Sequence, residues 1–149
     1  MAQVVISQER TLNAPANVVY ECLANYREHH PKILPAAFHD LEVVEGGIGA
    51  GTVIRFKMTV GGRTRSAEMI VSEPEPGRVM VETGRGSTIV TTFTVNPSGG
   101  GCVARIETRW DGASGIGGVM ERFFAGKALR KIFAEELELL EKYARARAS

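Results

Sequence analysis

Ile54, Phe56, Met58 and Val60 alternate with Arg55, Lys57 and Thr59. A period of two puts the apolar set on one face of a strand and the polar set on the other. This alternation constrains the fold more than any other pattern, because it returns in run after run. Residues 38–45 read as a strand closed by the glycine-rich turn at 46–51. Gly61-Gly62 predicts a tight hairpin into residues 63–72, with Ala67, Met69 and Val71 on the inner face. Pro74-Glu75-Pro76-Gly77 is a turn, and strand 78–83 follows with Val81 inward. The strand at 87–95 offers Ile89, Thr91, Phe93 and Val95 inward; residues 96–101 turn the chain, and 102–110 alternates Ala104, Ile106, Thr108 and Trp110 against Arg105, Glu107 and Arg109. Successive half-polar strands joined by hairpins describe an antiparallel meander with one wet face.

A meander cannot bury its inner face on itself, so a second layer is required. Two segments outside it supply one. Residues 4–12 are β-rich, and Asn13-Ala14-Pro15 stops them and starts a short helix over about 15–25, since proline's fixed φ suits a first helical turn. A second short helix is expected over 26–34, disturbed by Pro31 and closed by Pro35. After a glycine-rich joint at 112–118, residues 119–145 read as a helix about 40 Å long at 1.5 Å per residue. Leu129, Ile132, Phe133, Leu137 and Leu140 form its apolar stripe. The expected architecture is α+β: a curved seven-stranded antiparallel sheet around a long C-terminal helix, with two short helices after strand 1. The gap between bent sheet and straight helix is where a ligand-sized cavity is expected.

With 149 residues, residues 1–149 suffice for a single domain. A net charge of +1 gives no field to gather polyanions, so nucleic acid is not an expected partner. No secretory leader and no apolar run long enough for a membrane span is visible, and a cytoplasmic location is the expectation. Cys22 and Cys102 lack CxxC spacing and are read as buried free thiols.

The chain resembles the helix-grip superfamily of steroidogenic-acute-regulatory-type lipid-transfer domains, birch-pollen-allergen-like proteins and bacterial polyketide cyclase/dehydrase proteins. Leu12-Asn13-Ala14-Pro15-Ala16-Asn17-Val18-Val19-Tyr20 is similar to the family's strand end, residues 45–55 (EGGIGAGTVIR) to its turn into the third strand, and residues 71–78 (VSEPEPGR) to its proline turn. The resemblance covers essentially the whole chain and points to the cyclase/dehydrase and lipid-transport branch. It implies a domain that binds, or transports, a hydrophobic small molecule such as a lipid, quinone or polyketide-like compound. A cofactor-free cyclase or dehydratase and a protein-partner module stay open as alternatives, since fold does not choose among them.

The residues sort accordingly. Phe56, Met58, Met69, Val81, Phe93, Ala104, Ile106, Phe123 and Phe124 are the expected ligand-binding wall. His30, His29 and Tyr26 are the candidates for proton transfer, because this segment borders the cavity mouth in the resembled fold and histidine titrates near neutrality. Adjacent histidines point about 100° apart on a helix, so His29, His30 and His39 lack zinc spacing and no metal is expected. No cofactor is expected either. Gly47-Ile48-Gly49-Ala50-Gly51 enters a strand rather than a helix, which is the wrong context for a dinucleotide fingerprint. Monomer and homodimer are equally compatible with the sequence.

Overall fold

The computed structural model describes the backbone of residues 3–112 and 115–149 and the side chains of residues 3–112 and 126–149. Strand β1 (Gln3–Leu12) leads through Pro15 into helix α1 (Ala16–Ala24). Six strands follow: β2 (Phe38–Glu45), β3 (Val53–Val60), β4 (Arg63–Glu75), β5 (Val79–Gly84), β6 (Val90–Ser98) and β7 (Gly101–Asp111). Helix α2 (Gly115–Ala148) ends the chain. The sheet is antiparallel with order β1-β7-β6-β5-β4-β3-β2, so the meander is continuous and β1 joins its far edge beside β7. The α+β helix-grip architecture is therefore present.

Several boundaries differ from the sequence expectation for identifiable reasons. The second short helix shrinks to a single 3-10 turn, His30–Ile33. Asn25 Oδ1 accepts the backbone N–H groups of Arg27 (3.1 Å) and Glu28 (3.0 Å), which caps the segment locally and spends donors a longer helix would use. Strand β4 runs past Pro74 because its register against β5 shifts between Ser72 and Glu75, and a bulge tolerates proline's missing N–H. Strand β6 likewise contains Pro97, beyond the stretch that pairs with β5, where only β7 flanks it. Helix α2 begins at Gly115, several residues earlier than its glycine content suggests. Gly61 and Gly62 form the β3–β4 turn as expected, with φ of +59° and +79°, the pair of positive values such a two-residue turn requires.

The core lies between the sheet's inner face and the two helices. Leu137, Leu140 and Ala144 are fully buried, as are Leu12, Val19 and Leu23 from the N-terminal elements. The described part of α2 packs on β1, β7, α1 and the 3-10 turn. Truncating a core leucine here should cost about 2–5 kcal/mol, depending on how far the site collapses. Cys22 and Cys102 are buried free thiols, and burial raises both above the usual thiol range. Among the described residues no helix is long and apolar enough to cross a membrane.

Candidate functional site

Strand β5 turns Met80 and Glu82 to the inside, both nearly inaccessible to solvent, and leaves Val79 and Val81 half-exposed on the outer face. The expectation of an inward Val81 is thereby corrected. In the apolar run Val79-Met80-Val81 either parity is compatible with the sequence, and the inward parity is the one that buries an acid. Cross-strand register places Glu82 opposite Thr91, and Thr91 opposite Thr108, whose hydroxyls share a hydrogen bond of 2.7 Å. A polar row thus crosses an otherwise apolar inner face.

Three further polar side chains converge on this row from the covering layer. Tyr26 and His30, four residues apart, stack with ring centroids at 4.3 Å and planes 15° apart. The Tyr26 hydroxyl donates to Glu82 Oε2. His30 Nδ1 lies 2.7 Å from the Leu23 carbonyl oxygen. A carbonyl only accepts, so Nδ1 carries the proton and Nε2 is left as an acceptor. Phe93 meets the imidazole edge-on at 5.9 Å. Glu136 reaches in from α2, is 3% exposed, and has no hydrogen-bond partner among the described residues.

His30, Glu82 and Glu136 face a space of about 30 Å³, room for about two water molecules. Leu34, Phe38, Leu41, Ile54, Phe56 and Phe93 form its apolar walls, and the Phe38 and Phe56 rings meet edge-to-face at 5.7 Å. A ligand site usually measures roughly 300–1,000 Å³. The space is accordingly far smaller than the ligand-sized cavity expected from the sequence. A larger hollow of about 520 Å³ lies between Arg10 and the outer side of α2, lined by Glu138, Glu141, Lys142 and Arg145. It opens broadly to solvent, and Arg10 there pairs with Glu138 and Glu141. The buried ionisable groups line the smaller space.

Electrostatics there follow from burial. Desolvation pushes the Glu136 carboxyl up to about 8, aided by the neighbouring Glu82 charge. Desolvation raises Glu82 to about 7 against the opposing hydrogen bond from Tyr26. Burial and the Glu82 charge hold the Tyr26 phenol well above its ordinary range, so it stays a donor. Burial lowers His30 to about 4 despite its bond to Leu23, so the ring is neutral at physiological pH. The site holds two carboxyls poised around neutrality beside a fixed imidazole acceptor.

Of the expected site residues, His30 and Tyr26 come together here, and Phe56 and Phe93 line the space. Ile106 pairs with Phe93 on the same face, and Met69 is buried opposite Ile54. Met58 lies two residues beyond Phe56 on the half-buried inner face of β3. Ala104 is fully buried opposite Val95 and is not part of the described lining. Phe123 and Phe124 fall outside the described side chains. His29 turns away: its Nδ1 is 2.8 Å from the Tyr143 hydroxyl and its Nε2 is 3.4 Å from Glu21. His39 stands apart on β2, bonded to Asp40 and Thr59. Among the described residues no group of three or more His, Cys, Asp or Glu side chains could hold a metal ion.

Sequence reasoning missed Glu82 and Glu136. A signal for Glu136 exists: it lies seven residues after Leu129, four after Ile132 and three after Phe133, a position inside the apolar stripe.

A family model described as polyketide cyclase / dehydrase and lipid transport matches residues 3–145. Among solved structures, the KanY protein in solution is similar at 34% identity and a TM-score of 0.86, with 97% of this chain and 99% of that chain covered. A protein from Thermus thermophilus is similar at 22% identity and 0.79, over 97% and 99% of the two chains. The ZhuI aromatase/cyclase of Streptomyces sp. R1128 shares 15% identity at 0.77, over 99% and 97%, a likeness of fold. No curated protein matches the chain.

Proposed function

Because the chain belongs to the polyketide cyclase / dehydrase and lipid transport family, we propose that it binds a hydrophobic small molecule among Phe38, Phe56 and Phe93, with a polar end of that molecule on Glu82, Glu136 and His30. The observation that carries this reading is Glu136, an acid only 3% exposed that lines an aromatic-walled space beside Glu82. Holding two desolvated carboxyls side by side costs free energy that apolar residues would avoid. A ligand that hydrogen-bonds to them offsets part of that cost. Leu34, Phe38 and Leu41 are only half-buried, so their side chains can swing out and widen the space for a larger body.

Native mass spectrometry of freshly purified protein, with titration of the neutral dye Nile red, tests the proposal. Wild type is expected to carry a co-purified small molecule or to bind the dye. Leu41→Trp fills the space from its rim and is expected to abolish dye binding while the melting temperature holds. Wild type with no co-purified molecule and no dye binding would sink the reading.

One observation favours a second reading, a cofactor-free cyclase or dehydratase. A carboxyl whose pKa lies near the working pH is suited to giving and taking protons, and this site has two. Glu82 and Glu136 would be its acid–base pair, with Tyr26 positioning Glu82. Turnover of a polyketide-like substrate that Glu136→Gln abolishes, with dye binding retained, separates this reading from simple binding.

A further inference from the structure

The polar atoms bordering the closed space have an uneven chemistry. His30 donates through Nδ1 to Leu23 and presents only an acceptor at Nε2. Glu82 already accepts from Tyr26, and its remaining lone pairs are acceptors. Glu136 adds a second carboxyl group to the lining. Among the described residues no lysine or arginine lines the space, and the aromatic and aliphatic walls bring no N–H or O–H group. The described lining therefore offers two carboxyl groups and one imidazole nitrogen, and carries no positive charge.

We infer that the ligand bound here is an amphipathic amine, whose protonated nitrogen enters the space between Glu82, Glu136 and His30 while its apolar body lies against Phe38, Phe56 and Phe93. An ammonium group brings three donors to three acceptors and a charge that the two acids lack. It is about the size of a water molecule, which the 30 Å³ space accommodates. The surrounding rings present faces and edges on which a cation is not penalised as it would be among aliphatic groups. This inference rests on the proposed binding reading and narrows it to one ligand class.

Other charges could mimic the effect, so every titratable group around the site matters. The segment after α1 contributes Tyr26 and His30, β5 contributes Glu82, and α2 contributes Glu136. Strands β2 and β3 contribute only apolar side chains to the described lining, and β6 and β7 add the neutral Thr91 and Thr108 to the polar row. Tyr26 remains a phenol, and His30 is neutral above about 4. Of these groups, only the two carboxyls change charge between about pH 5 and 9.

The sign of the pH dependence follows. In the free protein Glu136 holds its proton up to about 8, so an ammonium must displace that proton to bind. Amine affinity should rise about tenfold per pH unit towards about pH 8 and then level off. A neutral ligand that accepts a hydrogen bond from the protonated acid would show the reverse.

The test is a calorimetric comparison of 3-phenylpropylamine with its neutral isostere 3-phenylpropanol between about pH 6 and 8.5. The amine is expected to bind at least about tenfold more tightly at pH 8, to weaken about tenfold per unit below it, and to release protons into the buffer on binding. In Glu136→Gln the preference should fall to within about threefold, with an unchanged far-UV circular dichroism spectrum as the check on folding. Equal affinities in wild type, tighter alcohol binding, absence of proton release, or binding of Nile red with neither phenylpropyl compound would each overturn the amine. Loss of Nile red binding in wild type would instead remove the underlying binding site. If Glu136→Gln fails to fold, the pH profile of the wild-type protein decides alone.

Discussion

Glu136 is 3% exposed, and its carboxyl is pushed up to about 8, chiefly by burial. An ordinary carboxyl in the unfolded chain titrates near 4.5. The folded protein therefore binds a proton that the unfolded chain releases. Stability from this group is complete below about pH 4.5 and is lost as pH rises through about 8. Glu82, raised to about 7, acts in the same direction over a narrower window. Thermal melts should show the ligand-free protein losing on the order of a few kcal/mol between about pH 5 and 9. Glu136→Gln should flatten most of that slope and should be more stable than wild type at about pH 9. An equally steep slope in the variant would show that Glu136 is not the titrating group. Residues of this kind are hard to find in a sequence. A buried glutamate differs from a solvated one only in its parity, and Glu82 follows a run of three apolar residues that fits either parity. His30 and Tyr26 are singled out with His29 because the resembled fold puts this segment at a cavity mouth, and the rings of Tyr26 and His30 stack in the structure. The chemistry that joins them to Glu82 was not legible, because Tyr26 and Glu82 meet only through the tertiary fold.

One carboxylate joins three elements. Glu141 of α2 accepts the Asn13 backbone N–H at 2.8 Å and the Arg10 guanidinium at 2.9 and 3.0 Å, tying the helix to the end of β1 and to the lead-in of α1. The Asn13 amide first, and then Arg10, hold this carboxyl below its usual range. Exposed ion pairs contribute little by themselves, so the backbone bond decides the outcome. Glu141→Ala should cost about 1 kcal/mol, read as a lower urea midpoint with an unchanged slope. Arg10→Ala should cost less. Equal costs would mean that the ion pair, rather than the amide bond, carries the clasp. At this scale the sequence was most informative. Alternation in β3 and glycine pairs at turns are local signals, and local signals survive into the fold. Boundaries slipped where proline entered a strand, at Pro74 and Pro97, because whether a neighbour needs that N–H depends on which strand lies beside it.

The whole molecule has two unequal halves. Strands β6 and β7 present buried residues at alternate positions, whereas β2 and the facing ends of β3 and β4 are half-buried or exposed. Strand β2 is also irregular, with a register shift beside Asp40, whose φ is +56°. Hydrogen exchange should find the slowest amides in β6 and β7 and the fastest strand amides in β2 and at the β3–β4 hairpin. Nile red should slow β2 and β3 and leave β7 unchanged. Uniform protection across the sheet would contradict this division. The order of elements forecast the fold, but the small size of the inner space, about 30 Å³, could not be read, since it depends on how side chains from distant segments fill space. The sheet order has one more consequence. Gln3 pairs with Asp111 and Leu12 with Cys102, so β1 lies beside a strand made long after it. During synthesis on a ribosome, Val4, Ile6 and Leu12 have no strand partner until roughly 90 to 106 more residues have been added. For that interval β1 is an apolar strand with open edges, the kind of segment that chaperones hold and that neighbouring nascent chains can capture.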